Sequence, residues 1–232
     1  MKIAVTVLLL APCLASSVFA QNATPAAARS GKALAPSFSC AKASSDAEKA
    51  ICRRADLAQA DVAVAKAYQK VRSALDPKSA PFLVEDQKGY LATLDVSVTP
   101  GDNPEKDLLG RMTDRARFLK KIKVPAPDGL AGEWGNVTGG FQIEAAGDGF
   151  HVDFNTVQPE RGNWVCDGKG NGRVTDGALT ITIDGDPSTL KIIREGPTLK
   201  VEAIAPPGQS AWTPEYCGHN GSVEGHYFFL KR

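Results

Sequence analysis

Patterns that carry chemistry are largely missing from this sequence of 232 residues. It contains no Gly-x-Ser-x-Gly segment, no phosphate-binding loop and no Cys-x-x-Cys pair, so common signatures of hydrolases, nucleotide-binding enzymes and zinc sites are absent. Its three histidines, His151, His219 and His226, lack the spacing of a metal-binding pair. We therefore predict no catalytic residue, no metal and no cofactor, and we expect that the protein is not an enzyme.

Long apolar runs are also rare. After the first 20 residues, none approaches the ~20 apolar residues that a membrane-spanning helix needs. Residues 1–20 combine Lys2, an apolar stretch at 3–10, and Val18 and Ala20 at the cleavage positions, which is the pattern of a secretory signal peptide. We predict cleavage after Ala20 and a periplasmic or secreted protein without a transmembrane segment.

The cysteines fit this predicted location. Removal of the signal peptide takes away Cys13 and leaves four cysteines, an even number in an oxidising compartment. Four cysteines permit three disulfide connectivities. Proximity along the chain, together with a division into two halves, favours the pairs Cys40–Cys52 and Cys166–Cys217.

The periodicity of the chain changes once. Residues 21–36 are rich in Ala, Pro and Ser and are predicted to be a flexible linker. Residues 37–123 follow the 3.6-residue period of helices, residues 124–129 form a second Pro-rich linker, and residues 130–232 alternate with period two. We predict an α+β fold with segregated domains: a disulfide-stapled helical bundle followed by an all-β antiparallel barrel or sandwich.

Local signals divide the helical half into four helices. They are the capping box of Ser45 and Glu48, which starts a short helix over 46–53, the Asp76-Pro77 break, the Ser79-Ala80-Pro81 start, and the cap Asn103-Pro104.

Asp61 interrupts the apolar stripe of the second predicted helix. The stripe consists of Leu57, Asp61, Val64, Tyr68, Val71 and Leu75. A carboxylate that is buried among apolar side chains must be paired. Two interpretations stay open: Asp61 bonds to a neighbouring helix end or basic side chain, or it binds a partner protein.

The second half contains some eight short alternating segments separated by turn-forming residues such as Asp176-Gly177. Gly132-Glu133-Trp134 at its start resembles the Gly-x-Trp that opens lipocalin-like barrels. Residues 167–172 are rich in glycine. We interpret them as a hairpin turn and not as a calcium loop, because Lys169 occupies a ligand position.

The two halves differ in charge. Residues 37–123 hold 16 Lys and Arg against 12 Asp and Glu, whereas residues 128–232 hold 8 against 14. The acidic second half favours a cationic partner. A basic run ends the helical half and is predicted to be a solvated helix face, not a nucleic-acid site. It consists of Arg111, Arg115, Arg117, Lys120, Lys121 and Lys123.

A set of positions in residues 37–122 resembles the LprI-type lysozyme inhibitor domain, a family of exported bacterial proteins with paired cysteines around a short helix. The positions are Ser39-Cys40-Ala41, Glu48, Ala50-Ile51-Cys52, Leu57, Asp61, Ala65 and Tyr68, followed by Gln87, Tyr90-Leu91 and Asp95. The chain departs from the family pattern in three places. Tyr90 stands in place of the usual Trp, Leu94 stands where Arg is common, and the cysteine often found soon after Asp95 is missing.

The resemblance implies an inhibitor of lysozyme or a related cell-wall hydrolase. Asp61, which interrupts the apolar stripe, is the candidate partner-binding residue. We expect such a protein to occlude the cleft of a cationic enzyme sterically, with acidic groups accelerating the encounter. An alternative function is a periplasmic ligand-binding or scaffolding protein whose barrel holds an apolar or envelope-derived molecule. The Gly-x-Trp start and the aromatic strand at 226–229 suggest this alternative.

Overall fold

The computed structural model describes residues 35–97, 103–209 and 212–232. The predicted signal peptide and residues 21–34 of the predicted first linker lie outside these residues. Within the described ranges, no helix is long and apolar enough to cross a membrane.

Helices precede strands, which confirms the α+β class. A 3-10 turn at Cys40–Lys42 is followed by helices α1 (Asp46–Arg53), α2 (Ala55–Ala74), α3 (Ala80–Ser97) and α4 (Pro104–Lys121). The strands are β1 (Gly132–Asn136), β2 (Gly139–Ala146), β3 (Gly149–Val157), β4 (Val165–Thr175), β5 (Ala178–Ile183), β6 (Thr189–Glu195), β7 (Thr198–Ile204) and β8 (Gly225–Lys231).

The predicted caps define the helix starts. At α1 the Ser45 hydroxyl accepts from the Glu48 amide, and the Glu48 carboxylate accepts from the Ser45 amide, so the capping box is complete. At α4 the Asn103 side chain accepts from the Lys106 amide, with proline at the first helical position. These side chains satisfy amides that a helix leaves without an internal partner.

Both expected disulfides are present. Cys40 is bonded to Cys52, 12 residues away, and Cys166 is bonded to Cys217, 51 residues away. The first ties the 3-10 turn to α1, and the second ties β4 to the segment that precedes β8. Closing a loop of either size restricts the unfolded chain and therefore stabilises the folded protein.

The eight strands close into an antiparallel barrel in sequence order, which decides between the predicted barrel and sandwich. The closing pair joins β1 to β8, with Trp134 opposite Phe229. A closed barrel has no free sheet edge. Aromatic side chains fill much of its interior, where Phe141 lies edge-on to Tyr227 and stacks on Phe154.

Trp134, the tryptophan of the Gly-x-Trp segment, is fully buried in the apolar cluster inside the barrel. Its indole Nε1 donates to the Leu130 carbonyl at 2.7 Å. The Arg194 guanidinium lies 4.8 Å from the ring centroid and donates to the carbonyl oxygens of Gly129 and Pro127. The polar edge of this buried indole is therefore satisfied, as a core tryptophan requires.

The interpretation of residues 167–172 as a turn is wrong, because they lie inside β4. Gly168, Gly170 and Gly172 alternate along that strand, and a Cβ at any of them would lie within 2.6 Å of another atom. At Gly168 this atom belongs to the Phe154 ring; at Gly170 and Gly172 it is a backbone oxygen of β5. Glycine inside a strand here permits close approach of neighbouring groups.

The helices and the barrel share apolar surface. Phe228 and Leu230 project from the outer side of β8 into the apolar cluster that also contains Leu57, Leu83 and Leu108 of the helices. The alternate β8 residues Tyr227 and Phe229 belong to the cluster inside the barrel. Both faces of β8 are therefore buried, which explains why apolar and aromatic residues follow one another in this strand without polar residues between them.

Candidate functional site: a cleft between α2 and α3

A cleft of about 350 Å³ lies between α2 and α3. Both helices pack against α4 and α1. The α2 wall consists of Asp61, Val64, Ala65, Tyr68 and Gln69, the α3 wall consists of Val84, Gln87, Lys88, Tyr90, Leu91 and Leu94, and Ser37 lies at one side.

The cleft brings together six of the residues that carry the family resemblance. Three come from α2 and three from α3: Asp61, Ala65, Tyr68, Gln87, Tyr90 and Leu91. The two sets lie on different helices. They share a surface because α2 and α3 both pack against α1 and α4, which holds the two helices side by side.

The remaining motif residues have structural roles or lie elsewhere. Glu48 caps α1, whereas Ala50, Ile51 and Leu57 are buried in the helical core. Asp95 is exposed and does not line the cleft.

Asp61 is half-buried on the α2 wall. Its Oδ2 accepts a hydrogen bond of 2.5 Å from the backbone amide of Ser37. Burial raises the pKa of the Tyr90 hydroxyl on the α3 wall; Arg115 opposes that effect, and the Asp61 carboxylate adds to it. Asp61 thus has an intramolecular partner and also lines an open cleft, so both interpretations of the sequence remain compatible with its geometry.

Leu91 supplies an apolar group at the cleft. Its relative exposure is 51%, whereas the preceding residue, Tyr90, is buried. Tyr68 on the opposite wall is half-buried and packs against the helical core. The cleft therefore places an exposed aliphatic side chain and a carboxylate beside a tyrosine, a residue type that is enriched at protein interfaces.

A buried ion pair between α3 and α4, which the sequence pattern did not lead us to expect, supports the α3 wall on the side away from the cleft. Arg115 of α4 lies 2.6 Å from Asp86 Oδ2, with both side chains less than 5% exposed. Arg115 also donates twice to Gln87 Oε1, at 3.0 and 2.8 Å. Gln87 lines the cleft, so its orientation depends on Arg115.

The same ion pair joins the helices to the barrel. The Asp86 carboxylate accepts from the Val137 amide in the β1–β2 turn at 2.6 Å. Val137 also sits over Gly89, where a Cβ would lie only 3.0 Å from its Cγ1. Burial raises the pKa of Asp86, while Arg115 and the Val137 amide oppose that effect.

The prediction that the basic run is a solvated face is wrong for Arg115, which is 4% exposed. A signal for this burial was present in the sequence. Arg115 stands three residues after Met112 and four before Leu119, within the buried stripe of α4. Asp86 stands likewise between Leu83 and Tyr90 on α3. Oppositely charged residues within two apolar stripes indicate a buried pair.

Among the described residues, no group of three or more His, Cys, Asp or Glu side chains could hold a metal ion. Comparison with known proteins adds no relative: no protein-family model, curated protein or solved structure matches the chain. The assignment to the LprI-type family therefore stays a prediction that depends on the motif residues.

Proposed function

We propose that this protein is an exported binding protein with an LprI-type helical bundle, and that it inhibits a lysozyme or related cell-wall hydrolase by steric occlusion. The observation that supports the proposal most directly is the convergence of six motif residues from α2 and α3 on one cleft. The two disulfides support export, because such bonds persist in oxidising compartments.

In this proposal the cleft binds the rim of the enzyme's active site and no bond is made or broken. Leu91 provides apolar contact area, and Asp61 meets a basic side chain of the enzyme. The acidic composition of residues 128–232, 8 basic against 14 acidic side chains, attracts a cationic enzyme over a longer range. The association rate should therefore fall as salt concentration rises.

The test measures residual activity of several lysozyme types with purified protein from Gln21 onward. A Leu91→Asp variant should weaken inhibition by about tenfold or more, because a charge would be buried in the contact. Val174→Asp is the matched control, since Val174 on β4 is 49% exposed, close to the 51% of Leu91. This control should inhibit like the unmodified protein.

Asp61→Asn separates the charge from the hydrogen bond, because an asparagine oxygen can still accept from the Ser37 amide. It should lower the association rate and weaken its dependence on salt. The proposal is refuted if micromolar excess of the unmodified protein inhibits none of the lysozymes, or if Leu91→Asp and Val174→Asp behave alike.

The barrel-based alternative has less support from the geometry. Side chains that project into the barrel, including Trp134, Phe141, Leu179 and Tyr227, are buried and belong to one packed cluster. Packing of this kind fills the space that an internal apolar ligand would need.

A further inference from the structure

A second and larger concavity lies between α4 and the outer face of strands β1 to β4. It has a volume of about 1120 Å³ and shares no lining residue with the α2/α3 cleft. Small-molecule pockets usually measure ~300–1,000 Å³, so this groove has room for a chain-like ligand. Nothing in the proposed lysozyme inhibition uses it.

Strand register determines the polar surface of the groove. Glu133, Gln142, Asp153 and Lys169 are paired in succession across β1, β2, β3 and β4. Because side chains on a strand alternate between faces, all four lie on the outer side, away from the buried interior residues. They form one transverse row that crosses the sheet.

A second row runs parallel to the first. It consists of Gly135, Gly140, Asn155 and Asp167, again paired strand to strand. The two glycines carry no side chain, whereas Asn155 and Asp167 make the row polar on β3 and β4. Leu230 and Phe118 cover the buried Gly135, where a Cβ would lie 3.0 Å from Leu230 Cδ1 and 3.3 Å from the Phe118 ring. The half-buried Gly140 is therefore the glycine of this row that faces the groove.

Charges of both signs line the groove. The barrel supplies the carboxylates of Glu133, Asp153, Asp167 and Asp184 and the cation of Lys169. Helix α4 supplies Lys121 and the ion pair of Arg117 with Asp114. An anionic polymer would meet the carboxylates, and a wholly apolar ligand would strip water from all of these groups. A ligand whose groups both donate and accept can satisfy them together, and hydroxyl groups have this property.

Several of these side chains are free to bind. Within the described ranges, Gln142, Lys169 and Lys121 form no hydrogen bond or ion pair through their side chains. Asn155 Nδ2 donates to Asp167 Oδ2 at 3.0 Å, and this hydrogen bond fixes the orientation of both exposed side chains. Gln142 therefore presents an amide with an unused donor and acceptor at the centre of the first row.

We propose that this groove binds a neutral oligosaccharide, with Gln142, Asn155 and Lys169 bonding to sugar hydroxyls and the surface at Gly140, which carries no side chain, receiving the face of a sugar ring. A cationic peptide is the competing ligand, because carboxylates outnumber cations in the lining. The oligosaccharide is favoured because Lys121 and Lys169, which have no carboxylate partner within the described ranges, would repel a cation, whereas Arg117 is already paired with Asp114.

The experiment titrates the full chain after signal removal with the neutral tetrasaccharides of β-1,4-linked N-acetylglucosamine, β-1,4-linked glucose and α-1,4-linked glucose. Nuclear magnetic resonance follows the side-chain amides of Gln142 and Asn155. At least one saccharide should shift both signals in a saturable way, at an affinity that high salt leaves unchanged. Gln142→Ala should weaken that affinity about two- to tenfold, the value of one or two neutral hydrogen bonds.

Glu144→Ala is the matched control. Glu144 is the next outward residue on β2 and does not line the groove, so this variant should bind as the unmodified protein does. The proposal is overturned if none of the three saccharides shifts the amides at millimolar concentration, or if Gln142→Ala and Glu144→Ala bind equally. Salt-sensitive binding of tetralysine without saccharide binding would also overturn it and would assign the groove to a cationic peptide.

Discussion

Replacing Arg115 with alanine should destabilise the protein far more than replacing any exposed arginine of the same helix. Arg115 is 4% exposed, pairs with Asp86 at 2.6 Å and donates twice to Gln87. Its guanidinium also lies 5.2 Å from the ring centroids of both Tyr90 and Phe118. Removing it leaves a buried carboxylate without its cation.

The expected loss follows from that unpaired charge. Breaking a buried ion pair by removing one partner costs about 3–5 kcal/mol. Arg117 offers a control two positions away: its pair with Asp114 is exposed on both sides, with 62% and 72% of the side-chain surface accessible. An exposed pair contributes ~0–1 kcal/mol, so Arg117→Ala should leave the free energy of unfolding nearly unchanged.

Urea unfolding of the disulfide-intact protein, followed by tryptophan fluorescence and circular dichroism, measures both changes. The two signals should coincide for the unmodified protein because helices and barrel share the core around Phe228. An additional Asp86→Ala substitution should cost less in the Arg115→Ala background than alone, by about 0.5–3 kcal/mol. If Arg115→Ala costs less than about 1 kcal/mol more than Arg117→Ala, the assigned role of the buried pair is refuted.

Three further predictions concern stability. Amides that precede α1 lower the pKa of Glu48 below its ordinary value of 4.5. The stability of the unmodified protein relative to Glu48→Gln should therefore be highest at neutral pH, and this advantage should vanish as the pH falls through the lowered pKa. A difference in unfolding free energy that does not depend on pH would contradict this. Replacing Cys166 and Cys217 with serine should cost about 4 kcal/mol in urea unfolding, from the 51-residue separation, and a loss below about 1 kcal/mol would contradict the chain-entropy argument. In thermal unfolding, Gly110→Ala should stabilise the protein by about 0.5–1 kcal/mol, because a Cβ at Gly110 meets nothing within 4 Å. Gly89→Ala should stabilise it less, because a Cβ at Gly89 lies 3.0 Å from the Val137 side chain. Equal gains in stability would exclude that contact.

Features that depend on neighbours along the chain were predictable. The span of α1 follows from its capping box, and the start of α4 follows from Asn103-Pro104. The alternation after residue 130 predicted the strands, and proximity predicted both cysteine pairs. The capping interactions span few residues and the strand pattern repeats with a fixed period, whereas the cysteine pairs follow from the division into two halves, one of them across 51 residues.

Features that depend on contacts between distant segments were missed or left open. The glycines of residues 167–172 suggested a turn, although in the fold they permit the Phe154 ring and the β5 backbone to approach β4. The basic neighbours of Arg115 in the sequence predict that its side chain is exposed to solvent. Its spacing from Met112 and Leu119 instead places it on the buried stripe of α4. Composition outweighed periodicity in both interpretations, and it was the weaker guide.

The sequence by itself determined the class of each half of the chain and the helix caps, because period and capping are local properties, and it favoured the cysteine pairing through the division into two halves. Only the tertiary structure decided that the strands close into a barrel, that Asp86 and Arg115 meet, and that six scattered motif residues line one cleft. The physical reason is that barrel closure, ion pairing and cleft formation depend on which surfaces of separate helices and strands pack against each other and are removed from water. Side chains far apart in the chain determine that packing.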